Sequence, residues 1–165
     1  ARAEYEKALE KLPGSTAILK GIAQTYGAEG NPDKAIETLR KVAQLDPNDH
    51  ENRVLLASLL LEQGKLEEGK SVLETLPPEA IRDAGVYVNL GILFMNKNKP
   101  EEARTYLTKA IEIDPADADS YRIRGLASVQ AKKNGEAKAD LNKYLELAPD
   151  GADAKEVREI LQALR

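Results

Sequence analysis

Hydrophobic and polar positions follow a helical spacing along the whole chain, and the pattern is clearest in residues 84–117. This stretch holds two runs of apolar residues, each placed on one face of a helix and separated by a short polar break. The apolar positions are Leu90, Gly91 and Phe94 in the first run and Ala103, Leu107 and Ala110 in the second. The pattern therefore predicts two helices joined by a polar turn.

The same pattern returns every 34 residues along the chain. Prolines mark the interval, with Pro13 and Pro47 one period apart and Pro115 and Pro149 likewise. A fixed period of this length is typical of a stacked repeat array. The predicted units are residues 16–49, 50–83, 84–117 and 118–151, with residues 1–15 as the second half of an earlier unit and residues 152–165 as a capping helix. We therefore expect residues 1–165 to form a single array that is a fragment of a longer protein.

Small residues in the helix interiors indicate close contact between helices. Glycine costs about 1 kcal/mol relative to alanine within a helix, so Gly91 and Gly125 need a reason to be there. We expect each to leave room for a neighbouring helix, with Gly69 in the equivalent role on the second helix of its unit. The residues expected to face these sites are Ala35, Ala103 and Ala137.

Two units depart from the shared pattern. Pro77 and Pro78 predict that the second helix of residues 50–83 ends about one turn early, because proline breaks a helix interior. Arg124 stands at a normally apolar position, and a buried arginine needs a partner. We therefore expect Arg124 to pair with an acidic residue of the chain.

Taken together, these positions resemble the tetratricopeptide repeat (TPR) family. The shared features are a small residue at unit positions 8 and 20, a bulky one at 24, an apolar one at 27 and proline at 32. The resemblance covers essentially the whole chain. It includes Arg124 and Asp140, which are similar to an Arg/Asp combination that recurs in the family, and so implies a structural pair between them. It implies an all-α fold, a right-handed α-solenoid of antiparallel helix pairs with a C-terminal capping helix, which holds a peptide or protein partner in its concave groove.

Composition narrows the function further. The chain has 24 Lys+Arg against 28 Asp+Glu, no cysteine and a single histidine, His50, which lies between two acidic residues. A Cys–His pair is therefore absent, no Ser–His pair is indicated, and no spacing of metal ligands or phosphate-binding loop stands out. We expect no enzyme activity, no cofactor, no metal and no nucleic-acid partner. The apolar runs are too short for a membrane span.

The resemblance implies that unit positions 2, 5, 9 and 12 of the first helices line the groove. With Asn89 added, the predicted partner-binding residues are Lys20, Gln24, Val54, Ser58, Leu61, Val88, Asn89, Ile92, Met95, Arg122, Leu126 and Val129. Seven of these are apolar, so we predict an exposed apolar strip that binds an apolar or amphipathic segment of a protein. Cover of part of the strip by neighbouring helices or by the C-terminal helix remains open.

Two further expectations concern partners. The carboxylate clamp by which some family members bind chaperone tails is matched here only at Asn89, so we predict no such recognition. The alternative to a peptide-binding scaffold is an architectural spacer or a self-association module. Such a module would form a homo-oligomer through the apolar face of residues 1–12 or through the C-terminal helix.

Overall fold

The computed structural model describes residues 2–164, and within that range it contains ten α-helices, one 3-10 turn and no strand. The helices are α1 (Arg2–Lys11), α2 (Thr16–Ala28), α3 (Pro32–Leu45), α4 (His50–Glu62), α5 (Leu66–Glu74), α6 (Ala84–Asn96), α7 (Pro100–Ile113), α8 (Ala118–Gln130), α9 (Asn134–Leu147) and α10 (Ala154–Ala163). The 3-10 turn, Pro78–Ala80, lies between α5 and α6. The all-α prediction is confirmed.

The helices α2, α4, α6 and α8 begin at the residues that open the predicted units, 34 residues apart. Each follows a residue whose side-chain oxygen accepts a hydrogen bond from a backbone N–H of the first turn. These N-terminal caps are Ser15, Asp49, Asp83 and Asp117. The caps satisfy donors that a helix start otherwise leaves without a partner, which explains why the starts recur at the same place.

Proline sets the bounds of the second helices. Pro32 and Pro100 each occupy the first helical position, where the missing N–H has no bond to make. The same helices end one residue before Asp46-Pro47 and Asp114-Pro115, because a residue that precedes proline disfavours the helical conformation.

The turn inside each helix pair uses a left-handed backbone at one recurring position. Gly30 and Gly64 have φ values of 71° and 70° there, and Asn98 and Lys132 have 56° and 59°. Glycine adopts this conformation without steric cost, asparagine tolerates it, and lysine does so less readily. The four turns therefore share one backbone geometry despite their different side chains.

The described residues form two compact units, the first ending at Ile81 and the second beginning at Arg82. In the first unit, α1 packs on α2, α2 pairs with α3, α3 packs on α4 and α4 pairs with α5. Short connections make the paired helices antiparallel. One core cluster of this unit comprises Ala23, Ile36, Leu39, Leu56 and Leu60.

In the second unit, α6 pairs with α7, α7 packs on α8, α8 pairs with α9 and α10 packs on α9. The helix α6 also contacts α8 directly. Leu90, Phe94 and Leu107 are fully buried between α6 and α7. Val157 of α10 packs in one hydrophobic cluster with Leu141 and Tyr144 of α9.

The mid-helix glycines make the close contacts that were predicted. A Cβ atom on Gly91 would lie 2.6 Å from Cγ of Leu107, and one on Gly125 would lie 2.8 Å from Cδ2 of Leu141. One on Gly69 would lie 2.7 Å from the Leu61 side chain. At Gly91 and Gly125, however, the nearest side chains belong to the bulky leucines and not to the alanines that we expected to face them.

The early end of the second helix in residues 50–83 is also confirmed. The helix α5 has nine residues, whereas α3, α7 and α9 have fourteen each. Pro77 lies in an extended conformation, and the 3-10 turn that follows leads to Ile81, which is buried. The two prolines thus replace the last turn of the helix with a compact connection.

Candidate partner-binding surface

In the first unit, Lys20 is held by an ion pair. Its ammonium lies 2.9 Å from Oδ2 of Asp49, whose Oδ1 accepts the Asn52 backbone N–H at 2.9 Å. Partial burial pushes the pKa of Asp49 upward, but the bonds from Lys20 and Asn52 outweigh it, and the pKa lies below its usual value. The hydrogen bond to Asp49 raises the pKa of Lys20. Lys20 is therefore already paired within the chain and is less available to a partner.

The other predicted residues of the first unit differ in their exposure. Gln24 is exposed, while Val54 and Ser58 are half-buried. The Ser58 hydroxyl donates to the Val54 carbonyl at 3.0 Å, which is a bond within its own helix. These residues leave mostly polar surface on α2 and mixed surface on α4.

The prediction that Leu61 belongs to the exposed apolar strip is wrong. Its side chain is 1% exposed and packs into the space that Gly69 leaves open on α5. Because Gly69 has no side chain, the leucine turns into the core and contributes no exposed apolar surface. We therefore remove Leu61 from the candidate site.

In the second unit, α6 carries an apolar row formed by Val88, Ile92 and Met95, which we call the α6 row. Steps of four and three residues place them on one helical face. Val88 and Met95 are half-buried, and Ile92 is 38% exposed. Asn89 is half-buried beside Val88. The α6 row is the clearest exposed apolar feature among the predicted groove residues.

The helix α8 adds less free surface. Leu126 and Val129 are both half-buried, and Val129 packs against the cluster that α9 and α10 build around Val157. The alternative in which the C-terminal segment covers part of the strip therefore applies to Val129.

Arg122 on α8 is held by two carboxylates. Its Nη2 lies 3.0 Å from Oδ1 of Asp119, and its Nε lies 3.2 Å from Oδ2 of Asp153. The guanidinium also stands 6.0 Å from the centre of the Tyr144 ring. Sequence reasoning placed Arg122 in the groove but missed these contacts, although the three-residue spacing from Asp119 is a recognisable signal for a helical pair.

A cleft of about 590 Å³ lies at the start of α6, beside the start of α8. Its lining residues are Arg82, Asp83, Ala84, Gly85, Val88, Asn89, Ile113, Asp114, Asp117 and Asp119. The cleft adjoins the α6 row through Val88 and combines an apolar wall with four aspartates and one arginine. It was not predicted from the sequence.

The predicted Arg124–Asp140 pair is present. Arg124 Nε and Nη2 donate to the two carboxylate oxygens of Asp140 at 2.8 and 2.6 Å, and Nη1 donates to the Thr108 hydroxyl at 3.0 Å. The bond to Asp140 raises the pKa of Arg124 despite its partial burial. These hydrogen bonds join α7, α8 and α9, so the pair stabilises the fold.

A second network was not predicted. Arg104 on α7 donates from Nε to the Ser128 hydroxyl at 2.9 Å and also pairs with Glu101 and Glu136. Its partners lie up to 32 residues away in sequence, which is close to one repeat period. A search for opposite charges at that interval would have found it.

Residues 2–164 offer neither a metal-binding cluster nor a membrane-spanning helix. No group of three or more His, Cys, Asp or Glu side chains is arranged to hold a metal ion. No helix in this part of the chain has the length and apolarity needed to cross a bilayer.

Comparison with known proteins identifies the repeats. Three family models described as tetratricopeptide repeat match residues 1–50, 28–87 and 90–162. Interferon-induced protein with tetratricopeptide repeats 2 from Homo sapiens is 48% identical over 44 residues. That match spans 27% of this chain and 9% of the human protein, so it relates a short stretch only.

Solved structures share the fold over most of the chain. A crystal structure of MamA aligns with a TM-score of 0.78 and 26% identity, covering 90% of this chain and 86% of that one. YrrB, described as a TPR protein with an unusual peptide-binding site, aligns with a TM-score of 0.77 and 19% identity, covering 99% and 84% of the two chains. The family matches and the helix-pair architecture lead to one conclusion: this chain belongs to the tetratricopeptide repeat family, whose α-solenoid fold supports a scaffold for protein–protein interaction.

Proposed function

We propose that the protein is a non-enzymatic scaffold that binds an apolar or amphipathic segment of a partner protein on the α6 row. The exposure of Ile92 carries this proposal. An isoleucine that is 38% exposed between the half-buried Val88 and Met95 offers contiguous apolar surface on one helix face. A helical segment could place side chains at three- and four-residue intervals against such a row.

The expected affinity is modest. Complete burial of an aliphatic side chain contributes about 1.5–3 kcal/mol, and residues that are already half-buried contribute a fraction of that. Three or four such contacts, less the cost of association, correspond to a dissociation constant on the order of micromolar. Met95 adds adaptability because its side chain is unbranched and flexible.

The composition and charge of the chain support a protein partner over other classes. The formal net charge is −4, and the cleft beside the α6 row is rich in aspartate. Both features disfavour binding to the phosphate backbone of a nucleic acid. The chain has a single histidine and no cysteine, so it offers no Cys–His pair for nucleophilic catalysis. Members of this family are in general scaffolds without enzymatic activity.

The experiment is a selection of binding peptides followed by measurement with variants. The wild-type protein selects from a display library of random peptides of about 15 residues, long enough for roughly four helical turns. A selected peptide is then synthesised, and its affinity is measured by fluorescence anisotropy. Ile92→Asp is expected to weaken binding at least about tenfold, because a charge would be buried against an apolar side chain.

A matched control separates this effect from general loss of surface apolarity. Leu147 on α9 is 37% exposed, close to the value for Ile92, and lies outside the candidate surface. Leu147→Asp should leave peptide affinity unchanged, and the circular dichroism spectra of both variants should match the wild type. Equal binding of the peptide to wild type and Ile92→Asp would exclude the proposed surface. A concentration-dependent dimer in sedimentation, with no peptide selected, would instead favour self-association.

A further inference from the structure

The first helix pair of the chain contains its own cation–carboxylate contact. Lys20, at position 5 of its repeat, reaches Asp49, the residue that caps α4, with a distance of 2.9 Å between Nζ and Oδ2. The carboxylate thus serves two purposes, since Oδ1 caps α4 while Oδ2 binds the ammonium group. This contact shows what the repeat geometry allows at these two positions.

Two repeats further along the chain, in the second compact unit, Val88 stands at the repeat position of Lys20 and Asp117 at that of Asp49. Asp117 caps α8 as Asp49 caps α4, with Oδ2 accepting the Ser120 backbone N–H at 3.1 Å. Its Oδ1 accepts no hydrogen bond from residues 2–164, and within those residues no lysine or arginine lies within ion-pair distance of the carboxylate. Valine has taken the place of the lysine, so the carboxylate lacks the cation that its counterpart has.

The cleft of about 590 Å³ opens at this carboxylate. Asp83 and Asp114 also line it and, within the described part of the chain, neither forms an ion pair with a lysine or arginine. The charge of Asp119 is shared with Arg122, and Arg82 is the one cationic residue in the lining. Clustered carboxylates beside an apolar wall create a negative potential that attracts a positive side chain and repels an acidic one.

We infer that the partner segment is basic as well as apolar, and that one of its lysine or arginine side chains enters this cleft beside Val88 and pairs with Asp117. The partner then supplies the cation that Lys20 supplies to Asp49 within the first unit. The aliphatic part of a lysine or arginine lies along an apolar surface such as Val88 while its charged end reaches the carboxylate. This inference rests on the proposed binding at the α6 row and specifies the chemistry of the partner.

The test uses peptides selected by the wild-type protein from the same random library. They should carry a lysine or arginine next to the apolar residues that they share. Asp117→Asn removes the charge and keeps a good helix cap, so the fold is preserved. Asp117→Asn should lower the affinity for a synthetic lysine-containing peptide about two- to fivefold, as expected for a partly exposed ion pair. Asp150→Asn changes the net charge equally on an exposed residue outside the cleft and should have no effect.

A second variant introduces the lysine of the first compact unit at the equivalent position of the second. Val88→Lys places a lysine at the position of Lys20, so Asp117 acquires a partner within the chain. Val88→Lys should lower the affinity for the lysine peptide more than the affinity for a peptide in which that lysine is replaced by glutamine. The glutamine peptide should also bind wild type and Asp117→Asn equally well.

The outcomes separate this inference from the function that it builds on. Peptides that lose binding to Ile92→Asp, yet carry no cationic residue or are indifferent to Asp117→Asn, would overturn the basic partner and leave the α6 row standing. Peptides that bind Ile92→Asp as tightly as wild type would overturn both. Selective weakening by Asp117→Asn and Val88→Lys, with no effect of Asp150→Asn, would establish the contact.

Discussion

Arg124 of α8 and Asp140 of α9 are joined by two hydrogen bonds, 2.8 Å from Nε to Oδ2 and 2.6 Å from Nη2 to Oδ1. Thr108 of α7 accepts a third bond from the same guanidinium. Three helices therefore meet at one arginine that occupies a position held by apolar residues in the other repeats.

Removal of Arg124 should cost more stability than removal of both members of the pair. Arg124→Met leaves the buried Asp140 carboxylate without its partner, and we expect a loss of about 2 kcal/mol in the free energy of unfolding. The double change Arg124→Met with Asp140→Leu should cost less, because no buried charge remains. Urea unfolding measures both, with Lys155→Met on the exposed face of α10 as a neutral control. A double variant that is less stable than the single one would contradict this account.

Gly91 should not accept a large side chain. Gly91→Leu would force atoms into the space of the fully buried Leu107, and such overpacking costs about 1–3 kcal/mol. Gly135, in α9 of the same compact unit, has nothing within 4 Å of the position that a Cβ atom would take. Gly135→Leu should therefore be neutral or stabilising by about 0.5 kcal/mol, since leucine is the better helix former. Thermal unfolding of the two variants provides the comparison, and equal melting temperatures would refute the close contact at Gly91.

The Lys20–Asp49 pair should make stability depend on pH at the acidic side. The pKa of Asp49 is lowered in the folded state, so its contribution is complete above the unfolded value of about 4 and is lost as the pH falls through the folded pKa. The pKa of Lys20 is raised, so its contribution is complete below about 10.4 and is lost as the pH rises beyond it.

Lys20→Met removes this pair without touching the helix cap. Between pH 5 and pH 9 the wild type should exceed the variant by a constant difference of about 0.5 kcal/mol, as for other partly exposed pairs. Unfolding by urea at a series of pH values should show the difference shrinking below about pH 4. Gln24→Met, on the same helix, should show no such change. A difference that persists unchanged in acid would mean that the ion pair does not cause it.

Most of the fold was predictable because the signals that define it are local or periodic. The caps at Asp49, Asp83 and Asp117 recur at a constant interval, and the prolines at the helix bounds act on their immediate neighbours. Arg124 could be paired with Asp140 because a charged residue at an apolar position needs a partner, and because the two residues resemble an Arg/Asp combination that recurs in the TPR family. Such signals need no knowledge of three-dimensional packing.

The candidate site was less predictable because side-chain exposure depends on packing between elements. Leu61 occupies a groove position by register, but Gly69 opposite it leaves a space that the leucine fills. Val129 is partly covered because the C-terminal cluster reaches it. The acidic cleft is formed by residues from the start of α6, the end of α7 and the start of α8, which no single stretch of sequence reveals.

The most direct test of the central claim is a methyl NMR titration of the protein with a peptide selected by it. Met95 is the only methionine in the chain, so its methyl signal needs no assignment, and Ile92 can be assigned by substitution. The account predicts that the largest shift changes fall on Val88, Ile92 and Met95. Shift changes centred on Leu45 or Leu147, the exposed leucines of α3 and α9, with Ile92 and Met95 unmoved, would contradict it.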